Sequence, residues 1–219
     1  MLDMLKYKST KENIFAKLLI ATRNSGKITE FQELLSGISF QTTSLQAEGI
    51  LEEVAETGES FEENATIKAR TYSSISGLPT LADDSGLEVD ALHGQPGIMS
   101  ARYGGPGLSD MDRVNLLLGN LVGVPQEDRT ARFRCVIAVA EPSGRTFSVA
   151  GVLEGIIIQS SPKGIGGFGY DPIFYVPTLR CTTAELSSAH KNAISHRGQA
   201  ARRAIPLLNT LCEEFAFER

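Results

Sequence analysis

Short blocks of apolar residues, some contiguous, some at helical spacing and some alternating, divide this chain into elements. Lys17-Leu18-Leu19-Ile20-Ala21 is an apolar run bounded by polar residues, the pattern of a buried strand. After Gly26 the spacing turns helical, with Ile28, Phe31, Leu34 and Leu35 on one face, so strand, tight loop and helix follow in close succession. A strand pair is expected across Ser39–Thr43 and Ile50–Val54. Ser60-Phe61-Glu62-Glu63 carries the capping-box pattern and predicts a helix running to Ser76, stopped by Gly77-Leu78-Pro79. Leu81-Ala82 reads as a short strand leading into Asp83-Asp84-Ser85-Gly86. Five glycines and two prolines between His93 and Gly107 predict a long structured loop. Beyond it, Ser109-x-x-Asp112 caps a helix that turns Val114, Leu117, Leu118 and Leu121 to the core.

Phe133, Cys135, Ile137 and Val139 alternate with their neighbours, Pro142-Ser143-Gly144 turns the chain, and Phe147, Val149 and Gly151 alternate on the way back, which predicts a hairpin. Ile156–Ile158 is expected to add another strand, and Pro172–Val176 a further one at a sheet edge because of its proline. Ala201, Ala204, Ile205, Leu208, Leu211, Cys212 and Phe215 share one face of a C-terminal helix, which Pro206 should kink or restart. No repeat, low-complexity tract or linker breaks the chain. The reading is one mixed α/β unit over residues 17–219, preceded by an extension at residues 1–16.

Composition narrows the class. Across 219 residues, 42% are hydrophobic and 21% charged, ordinary values for a globular chain that exclude global disorder. The formal net charge of −5 argues against non-specific nucleic-acid binding, which needs a basic face, while leaving room for a local Lys/Arg cluster that takes an anionic small substrate. No apolar run reaches the length of a membrane span. The opening segment, with Lys6, Lys8 and Lys11, has no apolar core and no cleavage site, so no signal peptide is read there. Cys135, Cys181 and Cys212 are far apart and odd in number, which fits buried thiols in a reducing compartment. A cytoplasmic protein is expected.

Four stretches carry candidate chemistry. Thr22-Arg23-Asn24-Ser25-Gly26-Lys27 is a strand-to-helix loop, where unpaired N–H groups and a lysine attract phosphate; it is not a Walker loop, and a plain structural turn reads equally well. Glu56, Asp83 and Asp84 form an acidic set best matched to a hard cation such as Mg²⁺, although Asp83-Asp84-Ser85-Gly86 also has the composition of an Asx turn. Asn64 and Lys68 lie four apart on the capped helix, on a shared face. Gly164-Ile165-Gly166-Gly167-Phe168-Gly169 matches a dinucleotide fingerprint by letter, but no helix is expected after it; the glycines would instead let Phe168 stack on a flat base, with ordinary core packing as the competitor. Lys191, His196 and Arg197 supply three donors that suit the O6 and N7 acceptors of a 6-oxo purine, or else mark a solvated helix start.

The ordered set Thr22–Lys27, Phe61-Glu62-Glu63-Asn64-Ala65-x-x-Lys68-Ala69, Leu81–Leu87, Ser100-Ala101-Arg102-Tyr103, Gly167–Asp171 and Ile194-Ser195-His196-Arg197-Gly198 resembles the inosine triphosphate pyrophosphatase family, from about Lys17 to Leu211. The resemblance implies a long mixed β-sheet flanked by helices, in two lobes with the active cleft between them, usually as a homodimer. It implies Mg²⁺-dependent hydrolysis of the purine triphosphates ITP, dITP and XTP to monophosphate and pyrophosphate. By the same resemblance Asp84 is the general base and a metal ligand, with Glu56, and Asp83 as a further ligand or a turn-former. Thr22, Arg23, Asn24, Ser25, Gly26 and Lys27 form the loop that grips the triphosphate, Lys68 and Lys191 are the other phosphate-binding lysines, and Ser85 contacts the substrate, with Asn64 a further substrate-binding candidate. Phe168 stacks on the purine, Gly169, Tyr170 and Asp171 complete that wall, and His196 and Arg197 read the base. Arg23 stands where some relatives carry glycine. The same chemistry on other nucleoside triphosphates, or nucleotide binding without turnover, are the competing readings; carboxylates facing a polyphosphate argue against the second unless a metal intervenes.

Overall fold

A computed structural model describes residues 16–217. The expected extension at residues 1–16 therefore lies outside the described residues apart from its last position. Twelve strands and α-helices are present among the described residues. In chain order they are β1 (Lys17–Ile20), α1 (Ser25–Leu34), β2 (Gln41–Ser44), α2 (Phe61–Ser76), β3 (Thr80–Val89), α3 (Asp110–Asn120), β4 (Thr130–Ala140), β5 (Thr146–Ile157), β6 (Phe174–Val176), β7 (Cys181–Thr182), α4 (Ser188–Ile194) and α5 (His196–Phe217). The strands form one mixed sheet in the order β2-β1-β3-β4-β5-β6-β7, with β1 parallel to β2 and β3 and every other pair antiparallel.

Strand periodicity decides which face each residue covers. Leu18 and Ile20 of β1, Leu81 of β3 and Cys135, Ile137 and Val139 of β4 pack with Phe31 of α1 and Ala200, Ala201, Ala204 and Leu208 of α5. Their neighbours Leu19, Ala82, Val136 and Ala138 pack on the opposite face against Phe61, Ala65, Ala69 and Tyr72 of α2. The long strands continue beyond these two clusters. Leu87 and Val89 of β3 and Ala131 and Phe133 of β4 enter a third cluster with Val114, Leu117 and Leu121 and with Ile173 and Phe174. Leu81, Asp83, Ser85 and Leu87 share one side of β3, so Asp83 and Ser85 occupy the interval between two apolar clusters. Ser85, in that interval, lines the cleft.

Helix ends follow local chemistry. The Ser60 hydroxyl accepts from the Glu63 N–H at 3.1 Å, while the Glu63 carboxylate turns to the Glu59 N–H, so only half of the expected capping box forms. Gly77 ends α2 with φ 67°. Ser109 and Asp112 complete a reciprocal box on α3. Helix α5 crosses β5 at Gly151, where any Cβ would collide with the His196 carbonyl and the Ala200 N–H; the missing side chain lets the start of α5 sit on the sheet.

Several expectations are corrected. Ile50–Val54 is not a strand, and β2 pairs with β1 instead. Side chains take two carbonyls of that segment: the Arg23 guanidinium donates to the Ile50 and Glu52 carbonyls, and the Tyr72 hydroxyl also donates to Glu52. Ile156–Ile158 contributes no separate strand, because β5 runs through to Ile157. Pro172 lies in a 3-10 turn over Asp171–Ile173, and the strand after it is interior, covered by β7. The restart expected as one alternative at Pro206 does not occur: α5 is continuous from His196 to Phe217. No helix among the described residues is long and apolar enough to cross a membrane.

Candidate active site

Asp83, Asp84 and Ser85 lie inside β3, not in a turn after it, which removes the Asx-turn reading. Successive strand residues face opposite ways, so the adjacent carboxylates are held apart and engage different partners. Asp83, 2% exposed, pairs with the Lys27 ammonium at 2.9 Å, accepts from the Ser85 hydroxyl at 3.0 Å and lies 3.7 Å from the Arg197 guanidinium. Burial alone would raise its pKa, but the charges of Lys27, Arg197 and Lys68 outweigh it and hold the carboxyl far below the usual carboxylate range.

Asp84 turns toward α2. One oxygen accepts from Lys68 Nζ at 3.1 Å and the other from Asn64 Nδ2 at 3.4 Å. Burial raises the Asp84 pKa, Lys68 and Lys27 oppose it, the Glu56 charge adds to it, and the outcome is a raised carboxyl. Glu56 shares the same ammonium, with Lys68 Nζ 2.7 Å from one oxygen and Arg102 Nη1 2.6 Å from the other. Burial pushes the Glu56 carboxyl up, while Lys68 and then Arg102 bring it below its ordinary value. One ammonium therefore bridges two carboxylates of opposite tendency: Glu56 is lowered and Asp84 raised from the ordinary carboxylate value.

The other end of the cleft is aromatic and cationic. Arg197, 2% exposed, donates to the Glu30 carboxylate and to the Ser85 hydroxyl, and the Lys191 ammonium sits between Glu30 at 2.8 Å and Asp171. Phe168 lies beside both cations, 5.0 Å from Lys191 Nζ and 5.5 Å from Arg197 Cζ, measured to the ring centroid. Its backbone N–H donates to Asp171 at 2.8 Å, and the next N–H, of Gly169, donates to Asp110 at 2.9 Å. The His196 ring stacks on Phe133 with centroids 4.8 Å apart, and its Nδ1 is buried with no hydrogen-bond partner. Burial first, then the charges of Arg197 and Lys191, press the His196 pKa well below its ordinary value, so the imidazole is neutral at neutral pH. A neutral, desolvated imidazole offers one donor and one acceptor to whatever enters.

The loop before α1 is shaped by its own side chains: Asn24 caps the helix by accepting from the Lys27 N–H at 3.0 Å, and Thr22 accepts from the Asn24 N–H at 3.2 Å. Asn24 and Lys27 line the cleft, as do Glu56, Asp84, Ser85, Phe168 and Tyr170. Ser25 and Gly26 form the first turn of α1. Arg23 does not point into the cleft; it is spent on the carbonyls of Ile50 and Glu52. Asp171 is 3% exposed and braces Phe168 and Lys191, while Tyr170 is buried and donates to the Ser100 carbonyl at 3.0 Å. The three lysines are held by separate carboxylates: Lys191 by Glu30 and Asp171, Lys27 by Asp83, and Lys68 by Glu56 and Asp84.

Glu30, Arg102 and Asp110 were absent from the sequence-derived set. Arg102 lies in the Ser100–Tyr103 motif, and Glu30 is one helical turn beyond Lys27, a spacing that puts both on one side of α1. Asp110 carried no signal beyond its place in the first turn of a capped helix.

The ion pairs link five cations (Lys27, Lys68, Arg102, Lys191, Arg197) to five carboxylates (Glu30, Glu56, Asp83, Asp84, Asp171), so the cleft is neutral. Among the described residues no three His, Cys, Asp or Glu side chains converge as a metal cage. The trio Glu56, Asp83 and Asp84 is thus not assembled; Asp83 belongs to the Lys27–Arg197 side. Glu56 and Asp84, sharing one ammonium, still fit a hard divalent ion, which takes one or two carboxylates and completes its shell with water and phosphate oxygens.

A profile of the Ham1 family matches residues 18–207. The chain is 50% identical over 195 residues to a dITP/XTP pyrophosphatase of Desulforamulus reducens, covering 89% of this chain and 96% of that protein. It is 52% identical over 198 residues to a dITP/XTP pyrophosphatase of Symbiobacterium thermophilum, covering 90% and 98%. A solved HAM1 protein of Coxiella burnetii superposes with a TM-score of 0.81 at 42% identity, covering 90% of this chain and all of that one.

Proposed function

The chain belongs to the Ham1 family, and from that premise we propose that it hydrolyses the purine nucleoside triphosphates ITP, dITP and XTP to the monophosphate and pyrophosphate, clearing them from the nucleotide pool. The observation that carries this reading is one cleft with two unlike ends: Phe168, His196 and Arg197 at one, Glu56 and Asp84, bridged by Lys68, at the other, with Lys27 also in the lining. The first end suits a flat base with acceptors at O6 and N7; an amino group at position 6 would meet donor with donor. The second suits a polyphosphate and a water.

In this reading Phe168 stacks on the purine, and Tyr170 and Asp171 keep that wall in place. Lys27, with the N–H groups at the start of α1, and Lys68 draw the phosphates to the Asp84 end. Asp84 takes a proton from a water as its oxygen bonds to the α-phosphorus, and the bond from that phosphorus to the bridging oxygen breaks. Pyrophosphate departs with its charge stabilised by the two lysines. The raised Asp84 carboxyl favours it as base, because a base acts best when its pKa approaches the working pH. Mg²⁺ held by Glu56 and Asp84 would supply the positive charge that a neutral cleft lacks when a triphosphate enters. The reading includes the homodimer that the family resemblance implies, which analytical ultracentrifugation checks, and the cytoplasmic location expected from the odd, scattered cysteines.

Product analysis tests the proposal: ITP, XTP, GTP and ATP are each incubated with and without Mg²⁺. Monophosphate and pyrophosphate from ITP and XTP, only with Mg²⁺, and little from ATP is the expected result. Inorganic phosphate with a diphosphate would move the attack away from the α-phosphorus and remove Asp84 from its role. Equal turnover of ATP would remove His196 and Arg197 from base reading.

A further inference from the structure

Gly26 touches the aromatic platform. A Cβ built on it would fall 2.5, 2.8 and 2.9 Å from three carbons of the Phe168 ring, closer than side chains approach one another. The conflict is not one of backbone conformation. Gly26 is a helical residue of α1 and is not among the residues with positive φ, so its own φ and ψ would accept alanine. What excludes a side chain is the ring. Phe168 has little freedom to yield, because its N–H is held by Asp171, the following N–H by Asp110, and its ring lies beside Lys191 and Arg197.

We infer that Gly26 is a positioning residue for base recognition: the bare backbone at the start of α1 sets where Phe168 stands, and so ties the triphosphate loop to the purine platform. The inference rests on the reading of Phe168 as the stacking residue and goes beyond it. A side chain at residue 26 would push the ring from its seat, tilting the platform, while leaving the N–H groups and Lys27 that face the phosphates. The part of the molecule that holds the phosphates and the part that holds the base are then in direct contact, and the same glycine serves both.

The test is a double-variant cycle read by two ligands. In the full-length enzyme, Gly26→Ala is expected to raise KM for ITP about tenfold with kcat nearly unchanged, a loss within what a base-stacking contact carries. The inhibition constant of inorganic triphosphate with Mg²⁺, which has no base, is expected to move less than about twofold. In the Phe168→Ala background, where the space is free, Gly26→Ala should add nothing further to KM, the signature of two residues acting as one unit. Thermal melting should show Gly26→Ala still folding cooperatively but somewhat less stable, since overpacking against the ring outweighs the helical preference for alanine. Equal weakening of ITP and inorganic triphosphate would overturn the inference and return Gly26 to the phosphates alone. Additive effects in the double variant, or an unchanged KM in Gly26→Ala, would overturn it as well. If Phe168→Ala itself left KM unaltered, the stacking reading would fall first and the inference with it.

Discussion

Replacing Lys68 by methionine removes the one ammonium that Glu56 and Asp84 share, and the structure sets the size of the effect. At 3.1 Å from Asp84 and 2.7 Å from Glu56, with an effective dielectric constant near 20, the bare attractions are about 5 and about 6 kcal/mol. Both are upper bounds, because burying Lys68 has its own cost, and Glu56 keeps Arg102 while Asp84 keeps Asn64. Breaking a buried pair by removing one partner costs about 3–5 kcal/mol. With those remaining partners the expected loss is near the lower end, about 3 kcal/mol, which for a chain of this length lowers Tm by about 6–12 °C. The sign with pH follows from the two carboxyls. Glu56 has a lowered pKa in the folded state, so its contribution is present above its unfolded pKa and fades as pH falls through its folded one. Asp84 has a raised pKa and already costs stability once pH rises through it; without Lys68 that cost grows. The variant should therefore lose most against the parent near neutrality and much less in acid. Urea unfolding at about pH 5 and about pH 7.5 measures the difference. The acid limb of kcat/KM should also move to higher pH, since Asp84 must be ionised to accept a proton. A stability loss equal at both pH values, together with an unmoved acid limb, would refute the bridge.

Three further outcomes are expected. Asp84→Asn should bind ITP nearly as well as the parent but lose turnover by at least about a hundredfold, the usual size of a general-base contribution, and a kcat within about threefold of the parent would exclude Asp84 as the base. Ser60→Ala should cost about 1 kcal/mol in urea unfolding, because only the Ser60 hydroxyl caps the Glu63 N–H; a loss as small as that of an exposed surface substitution would show the cap to be idle. The Cys135 thiol, fully buried beside Asp83 and pushed up to about 12, should stay unmodified by a thiol reagent in the native enzyme and react only on unfolding, as peptide mapping of the labelled protein would show.

Much of the scaffold was legible because it is written in local patterns. The alternation of Phe133, Cys135, Ile137 and Val139 against Phe147 and Val149 predicted β4 and β5, and Ser60 and Ser109 marked the helix starts they cap. The errors share a cause: tertiary partners overrode the local signal. Asp83-Asp84-Ser85-Gly86 has the composition of a turn, yet runs as strand because ten consecutive residues of β3 pair with β4 and buried lysines and an arginine neutralise the carboxylates. Ile50–Val54 looked like a strand, but its carbonyls are taken by Arg23 and Tyr72, two residues distant in sequence. The site residues were found as a set by motif, whereas their division into partners was not. Lys191 and Arg197 meet on Glu30 from helices far along the chain, a contact with no sequence period to betray it.

That division has a simple origin in the strand. Because Asp83 and Asp84 are adjacent in an extended segment, one carboxylate faces α1 and α5 and the other faces α2. Asp83 anchors Lys27 and sits near Arg197, and these cations hold its carboxyl far below the usual carboxylate range. Asp84 receives only Lys68 and a longer hydrogen bond from Asn64, and is pushed upward by burial and by Glu56. Two carboxylates of the same type, one peptide unit apart, are thereby shifted in opposite directions, a difference that the proposed mechanism uses to set a base apart from a structural anion. The pairing must hold as a unit. Exchanging Asp83 for asparagine would leave Lys27 and Arg197 with less negative charge between them, whereas Asp84→Asn acts on the Lys68–Glu56 side. Parallel measurement of KM and kcat separates them: Asp83→Asn is expected to raise KM and lower stability, and Asp84→Asn to lower kcat. The same signature from both variants would mean that the strand does not divide the work in this way.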